Sequence, residues 1–312
     1  MEDMKALQAK EIEILQVVHD ACEKLGIEYV IMYGTLIGAV RHHGFIPWDD
    51  DIDICMTQEN YDVFIKEGNN YLPENIRIQH VLTEDECPNL FAKVRDKSTT
   101  FLHREHIALN INQGVFIDVF PVGKIKAGRV AITIEYYRRK IFNIINECFD
   151  LAYIAGIKRK GSRIMGLFIH YIIVRGLLHK IHRKDFILKE EERRRDLHRH
   201  GDDITFVSVY EKVLGQYTLF TKRRLYEFDG YNFYGPEDYN KLLSLLYGNY
   251  MNIPPVEEQV THKPLFVDLG MGYSAEEVLE ILKQEKQRGE QGNAGNDFSG
   301  GNGKAVEGAD PE

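Results

Sequence analysis

The sequence predicts an α+β protein: a mixed sheet flanked by helices, interrupted by a basic helical insertion and followed by a disordered, Gly-rich C-terminal tail. Three observations predict it. Apolar residues recur at helical spacing near the start, from Leu7 through Ile14, Leu15, Val18 and Cys22 to Leu25. Short β-rich runs bounded by turn residues then occupy the chain up to about residue 123. Beyond them the charge changes sign: residues 124–200 hold 19 Lys and Arg against 8 Asp and Glu, a net of +11, leaving −20 on the rest of a chain whose total is −9.

The elements follow in order. The first helix stops at Gly26, and Tyr29–Tyr33 reads as a strand ending at Gly34-Thr35. A short helix from Leu36 to His42 comes next, with Thr35 expected as its cap and Gly44 as its terminator. Asp51-Ile-Asp-Ile-Cys55 alternates polar and apolar residues, as a strand with one wet face does. A helix over about Glu59–Lys66 precedes strand-like runs at Ile76–Leu82, Phe91–Arg95 and Val115–Phe120. Residues 1–123 therefore read as the core, 124–200 as the basic helical insertion, 201–286 as the part that completes the core, and 287–312 as the tail. In 201–286, Tyr239, Leu242, Leu243 and Leu246 recur at helical spacing before Gly248.

Composition excludes several classes. With 44% hydrophobic and 28% charged residues over 312 positions, the chain can bury a large core. Its acidic balance argues against a dedicated nucleic-acid binder. The charged start, with Glu2, Asp3, Lys5, Lys10, Glu11 and Glu13, lacks the apolar run of a signal peptide and points to the cytoplasm. Cys22, Cys55, Cys87 and Cys148 form no CxxC pair and read as buried thiols in a reducing compartment. Ile164–Val174 is apolar for 11 residues between Arg163 and Arg175, too short to cross a bilayer. A core-facing helix is its leading reading. The alternative is an amphipathic helix lying on an anionic membrane, which would place the protein peripherally at the inner face of the plasma membrane.

The chemistry concentrates between Tyr33 and Ile54. There a small-residue turn at a helix start, Gly34-Thr35, precedes a carboxylate cluster by ~15 residues, an arrangement able to bring an anion-binding backbone beside a cation-binding acid set. In a strand, Asp51 and Asp53 share one face about 6.6 Å apart, while Ile52 and Ile54 point to the core. Two like charges so placed repel, and a hard divalent ion turns that cost into a site. Asp118, between Ile117 and Val119, is an isolated acid in an otherwise apolar strand, costly unless paired or metal-bound, and is expected to face the other two. Asp49 is a further candidate ligand. Arg41 stands where it reaches a phosphate or caps its helix, and Trp48, beside Pro47, reads as a packing residue more readily than as a base-stacking one.

These strings resemble the LicD family, relatives of fukutin and fukutin-related protein within the nucleotidyltransferase-fold superfamily. Gly34-Thr35 is similar to that superfamily's Gly-Ser/Thr element, Asp51-Ile52-Asp53-Ile54 to its paired-acid strand, and Ile117-Asp118-Val119 to its third acid. Trp48–Asp53, Ala92–Phe101, Tyr239–Met251, Pro254-Pro255 and His262 extend the likeness over roughly residues 10–265. The resemblance implies a nucleotidyltransferase-like mixed sheet and transfer of a phospho-alcohol group, such as phosphocholine, from a CDP-linked donor to a sugar hydroxyl of a glycan or lipid-linked glycan. It implies Mg2+, with Mn2+ as the substitute, on Asp51, Asp53 and Asp118, the last also acting as base. Gly34, Thr35, Arg41, Lys93, Arg95 and His262 are then the substrate-binding candidates. Two other readings stay open from sequence: a nucleotidyltransferase that moves the nucleoside monophosphate itself, and a non-catalytic scaffold docking a membrane or partner through 124–200.

Overall fold

The structure is a computed structural model and describes residues 2–150, 154–155, 160–175, 182–206, 214–259, 261, 264–292 and 304–305. Eight helices are described: α1 (Glu2–Leu25), α2 (Tyr33–His42), α3 (Gln58–Glu67), α4 (Arg129–Glu147), α5 (Lys160–Arg175), α6 (Arg183–Arg199), α7 (Tyr239–Tyr247) and α8 (Ala275–Gly292). The principal sheet runs β1 (Val30–Ile31), β2 (Asp53–Thr57), β6 (Val115–Ile125), β4 (Ala92–Asp96) and β3 (Ile76–Gln79) in that spatial order, with β7 (Asp202–Phe206) on the far end of β6 and β8 (Leu214–Gly215) beside it. It is mixed: β2 and β6 are parallel, and β6 is antiparallel to β4. β5 (Thr100–Leu102) pairs with β11 (Phe266–Asp268), which also pairs with β12 (Lys304–Ala305), while β9 (Arg223–Phe228) and β10 (Tyr231–Pro236) form a hairpin.

The core explains the order. Alternating apolar residues of β2 and β6 (Ile54, Met56, Val115, Ile117, Val119) are buried with Ile14, Leu15 and Val18 of α1 and Tyr61 and Phe64 of α3. Phe228, Phe233, Leu242 and Leu243 belong to this same core, so residues well beyond 200 close it. The four cysteines are free and buried.

Local chemistry corrects several expectations. The strand expected over 29–33 is only Val30–Ile31, because Tyr33, at φ +50°, already opens α2. Met32 occupies the capping position and contributes no side-chain bond. Thr35 is therefore not a cap; its Oγ1 accepts the Asp53 backbone N–H at 2.8 Å and ties the helix start to the acid strand. His43, left-handed at φ +55°, ends α2 in place of Gly44. A Cβ on Gly44 would meet the Asp229 carboxylate at 2.4 Å, so its role is close packing.

The insertion differs more. β6 runs into it as far as Ile125, and α6 packs against the sheet through a buried pair, His80 Nε2 to Glu191 Oε1 at 2.6 Å. The leading expectation for Ile164–Val174 does not hold over its described side chains: α5 turns Ile164, Met165, Leu167, Phe168 and Tyr171 outward. Of the expected tail, 287–292 continues α8 and 304–305 pairs with β11, while its other positions lie outside the described residues.

Candidate active site

β2, β6 and β4 build the centre of the site side by side. Asp118 on β6 is the register partner of Asp53 on β2 and of Lys93 on β4, so two acids and one amine stand in a row across three strands. The row is anchored at both backbone ends, by Asp118 N–H to Ile52 O at 2.8 Å and Asp53 N–H to Thr35 Oγ1. Lys93 Nζ donates to Asp118 Oδ1 at 2.5 Å and lies 3.5 Å from the centre of the Phe116 ring.

The loop before β2 brings the remaining acids. A Cβ on Gly34 would stand 2.5 Å from Asp49 Oδ2, so the bare glycine backbone lets the acidic loop close against the first turn of α2. Negative charge there is favoured by the amide dipoles of the helix start. Asp50 is buried, and Asp51 and Asp53 are half-buried.

The electrostatics show how crowded this negative charge is. Burial, then Asp51, Asp118 and Asp49, push the Asp53 carboxyl well above its usual range, with Lys93 only partly opposing them. Glu11 on α1, read in the sequence as one of several terminal charges, is 2% exposed and leaves Oε2 without a hydrogen-bond partner. Burial and then Asp51, Asp50, Asp49 and Asp118 raise it in the same way. Sequence spacing could have exposed Glu11 only through its position beside Ile12, Ile14 and Leu15, on a helix whose polar face is otherwise wet.

Asp51, Lys93 and Asp118 open onto a cleft of about 320 Å³. Its other walls include Phe91 and Phe116, His103 and His106, Glu105, Glu147 and Asp150, and Arg183. Arg183, at the start of α6, donates to Asn146 Oδ1 and Asn146 O, both at 3.2 Å, and burial lowers its pKa. These residues were not legible beforehand: nothing in a basic segment distinguishes Arg183 from its neighbours until the helix is docked.

Other expected residues lie elsewhere. Arg95 is fully buried two residues along β4 from Lys93, against the same Phe116 ring, donating to Gln79 Oε1 at 2.7 Å and Gly114 O at 2.5 Å, with burial lowering its pKa to about 10. Arg41 donates to Tyr250 O at 2.9 Å and Asn252 O at 3.3 Å, holding the loop after α7 rather than facing the acids. Trp48 packs against the core. His262 lies outside the described residues.

The residues suit a hard divalent cation by chemistry more than by present arrangement. Among the described residues no group of three or more Asp, Glu, His or Cys side chains forms a ready metal-ligand set, and Asp118 Oδ1 is engaged by Lys93. The crowded oxygens and the unpartnered Glu11 Oε2 nevertheless mark a place where added positive charge lowers the energy.

Comparison with known proteins places this geometry. The family model described as LicD/FKTN/FKRP, nucleotidyltransferase domain, matches residues 26–142, a span that contains Gly34, Asp51, Asp53, Lys93 and Asp118. The chain is 27% identical over 274 residues to the lipopolysaccharide cholinephosphotransferase LicD of Haemophilus influenzae, covering 83% of this chain and 97% of that protein. An uncharacterised protein of Rickettsia typhi is 29% identical over 126 residues, 38% of this chain and 40% of its own length. Asp53 and Asp118, carried on neighbouring strands of the mixed sheet, therefore lie inside a segment similar to the LicD/FKTN/FKRP nucleotidyltransferase domain.

Proposed function

We propose that the chain transfers phosphocholine from CDP-choline to a sugar hydroxyl of a cell-surface glycan precursor, with Mg2+ on Asp51, Asp53 and Asp118. The observation that carries the reading is the Asp53–Asp118–Lys93 row across three strands, whose Asp118 and Lys93 join Asp51 in lining a cleft with both signs of charge. Likeness to a cholinephosphotransferase over nearly its full length supports the reaction class.

In this reading the acceptor oxygen attacks the phosphorus that bears choline, the bond to the CMP phosphate breaks, and the hydroxyl proton passes to the Asp118 carboxylate. Lys93 and Arg183 supply the fixed positive charge that neutralises the phosphates. A bound Mg2+ adds charge neutralisation at the donor phosphates. Phe91, with Glu105, Glu147 and Asp150, gives the cleft an aromatic and acidic side suited to a trimethylammonium group.

The test is incubation of the purified protein with Mg2+, choline-labelled CDP-choline and glycan precursors, with products separated by mass spectrometry. CMP and a labelled glycan are expected, and Asp53→Asn is expected to abolish both. An undiminished rate in that variant, or a glycan carrying the nucleotide, would overturn the assignment.

A further inference from the structure

Helix α4 turns a largely polar side inward, with Phe142, stacked on Phe186, as its buried apolar residue. Glu135, Asn143 and Asn146 are buried, whereas Val130, Ile134, Tyr137, Ile141 and Ile144, spaced at i, i+4, i+7, i+11 and i+14, are 50 to 73% exposed. A surface helix ordinarily turns such a stripe to the core. Here the rotation is fixed by ion pairs: Glu135 holds Arg138, Arg139 and Arg193, Arg138 also holds Glu190, and Asn146 Nδ2 donates to Pro88 O at 2.8 Å. Turning the stripe inward would break all of these.

Helix α5 continues the pattern. It is joined to the end of α4 by His170 Nδ1 with Cys148 O at 2.8 Å and by packing of Ile169 on the Cys148–Ile154 cluster. Its Ile164, Met165, Leu167, Phe168 and Tyr171 are 46 to 61% exposed. Ten large apolar side chains on two adjoining helices exceed what scattered surface hydrophobes account for.

We propose that the outward faces of α4 and α5 dock onto an anionic lipid bilayer. Charge selects this occupant: the segment 124–200 carries +11 in a chain of −9, and exposed Lys126, Arg129 and Lys140 accompany the α4 stripe. Apolar side chains entering the acyl boundary with basic residues at headgroup level is the interfacial-helix arrangement. Among the described residues no helix is long and apolar enough to cross a membrane, so contact is by lying on it. The last turn of α4 carries Asn146 and Glu147 into the cleft wall, so docking sets the cleft beside the lipid surface, where a lipid-borne acceptor would present its glycan. That last consequence rests on the proposed function; the docking does not.

The experiment is co-flotation of the full chain with vesicles of phosphatidylglycerol and phosphatidylcholine, and with phosphatidylcholine alone, at low and high salt. Binding to the anionic vesicles at low salt, weakened by salt and by omission of phosphatidylglycerol, is expected. The exposed double substitution Ile134→Glu/Ile141→Glu, and separately Lys126→Glu/Lys140→Glu, should each lower the bound fraction about tenfold with unchanged circular dichroism and melting temperature. Absence of flotation at low salt, equal binding by either double variant, or a concentration-dependent dimer that Ile134→Glu/Ile141→Glu dissolves while vesicles are ignored, would overturn the proposal. Since the readout is vesicle binding, it stands or falls independently of whether CDP-choline is consumed.

Discussion

Lys93 Nζ reaches Asp118 Oδ1 from the position directly opposite it across the β4–β6 ladder, 2.5 Å away. Burial lowers the pKa of this lysine, and the neighbouring Asp118 opposes that shift. The two groups thus stand as each other's partner in a buried ion pair. Lys93→Met keeps the bulk and removes the charge. CMP release should fall at least ~100-fold, and the melting temperature should drop as well, since a buried carboxylate loses its partner. Steady-state kinetics beside a thermal melt check both; a wild-type rate would remove Lys93 from the reaction.

Glu11 should be a liability in the metal-free protein. Its folded pKa lies well above the ordinary 4.5, so the folded state holds this proton more tightly than the unfolded chain. Stability from this group accordingly declines as pH rises from about 4.5 toward the folded value, and the cost persists above it. Glu11→Gln should raise the midpoint of urea unfolding at pH 8 in EDTA and flatten its decline with pH. A lower midpoint at pH 8 would show that the carboxylate is compensated.

The acid set should answer to a divalent ion. Mg2+ added with CDP-choline should raise the melting temperature in a concentration-dependent way, because a ligand that binds only the native state stabilises it by mass action. Asp53→Asn should remove most of that dependence. Identical melts with Mg2+ and with EDTA would count against the ion.

Glu135 ties α4 to α6 through arginines. Burial alone would raise its pKa, but hydrogen bonds from Arg138 and Arg193 and the charge of Arg139 bring it down to about 2. The interaction stabilises the fold fully above the ordinary 4.5 and is lost as pH falls toward about 2. Glu135→Gln should cost on the order of 3 kcal/mol at neutral pH. Comparing urea unfolding at pH 7 and pH 3 checks it: the variant's deficit should shrink at the lower pH.

The acidic side of the cleft should read the donor's alcohol. Glu147→Gln/Asp150→Asn should raise KM for CDP-choline about tenfold and leave kcat within a few-fold. An equal loss in kcat would place these carboxylates at the reacting atoms.

Much of this was legible in the residues. Alternation in Asp51–Cys55 and the lone acid between Ile117 and Val119 are local patterns, and a strand periodicity of two brings Asp53 and Asp118 to compatible faces wherever the strands pair. What could not be read are relations set by docking. Arg95 shares its strand face with Lys93 by spacing, yet Phe116 and Gln79 claim it within the core. Arg41 is held by carbonyls more than 200 residues away. The burial of Glu11 and the outward stripe of α4 depend on which side of each helix meets the sheet, and in α4 ion pairs override the apolar periodicity that ordinarily decides it.

The matched segment 26–142 and the unit that folds are different things. Helix α1 lies before that segment, and Phe228, Phe233, Leu242 and Leu243 lie after it, yet all contribute to a single apolar interior. Expressed alone, the segment would show solvent the inner surfaces that those pieces cover, and aggregation is its expected fate. A shortened chain that folds should keep α1 and run at least through β11 and the start of α8, since Phe266, Ala275 and Val278 bury Leu102 of β5.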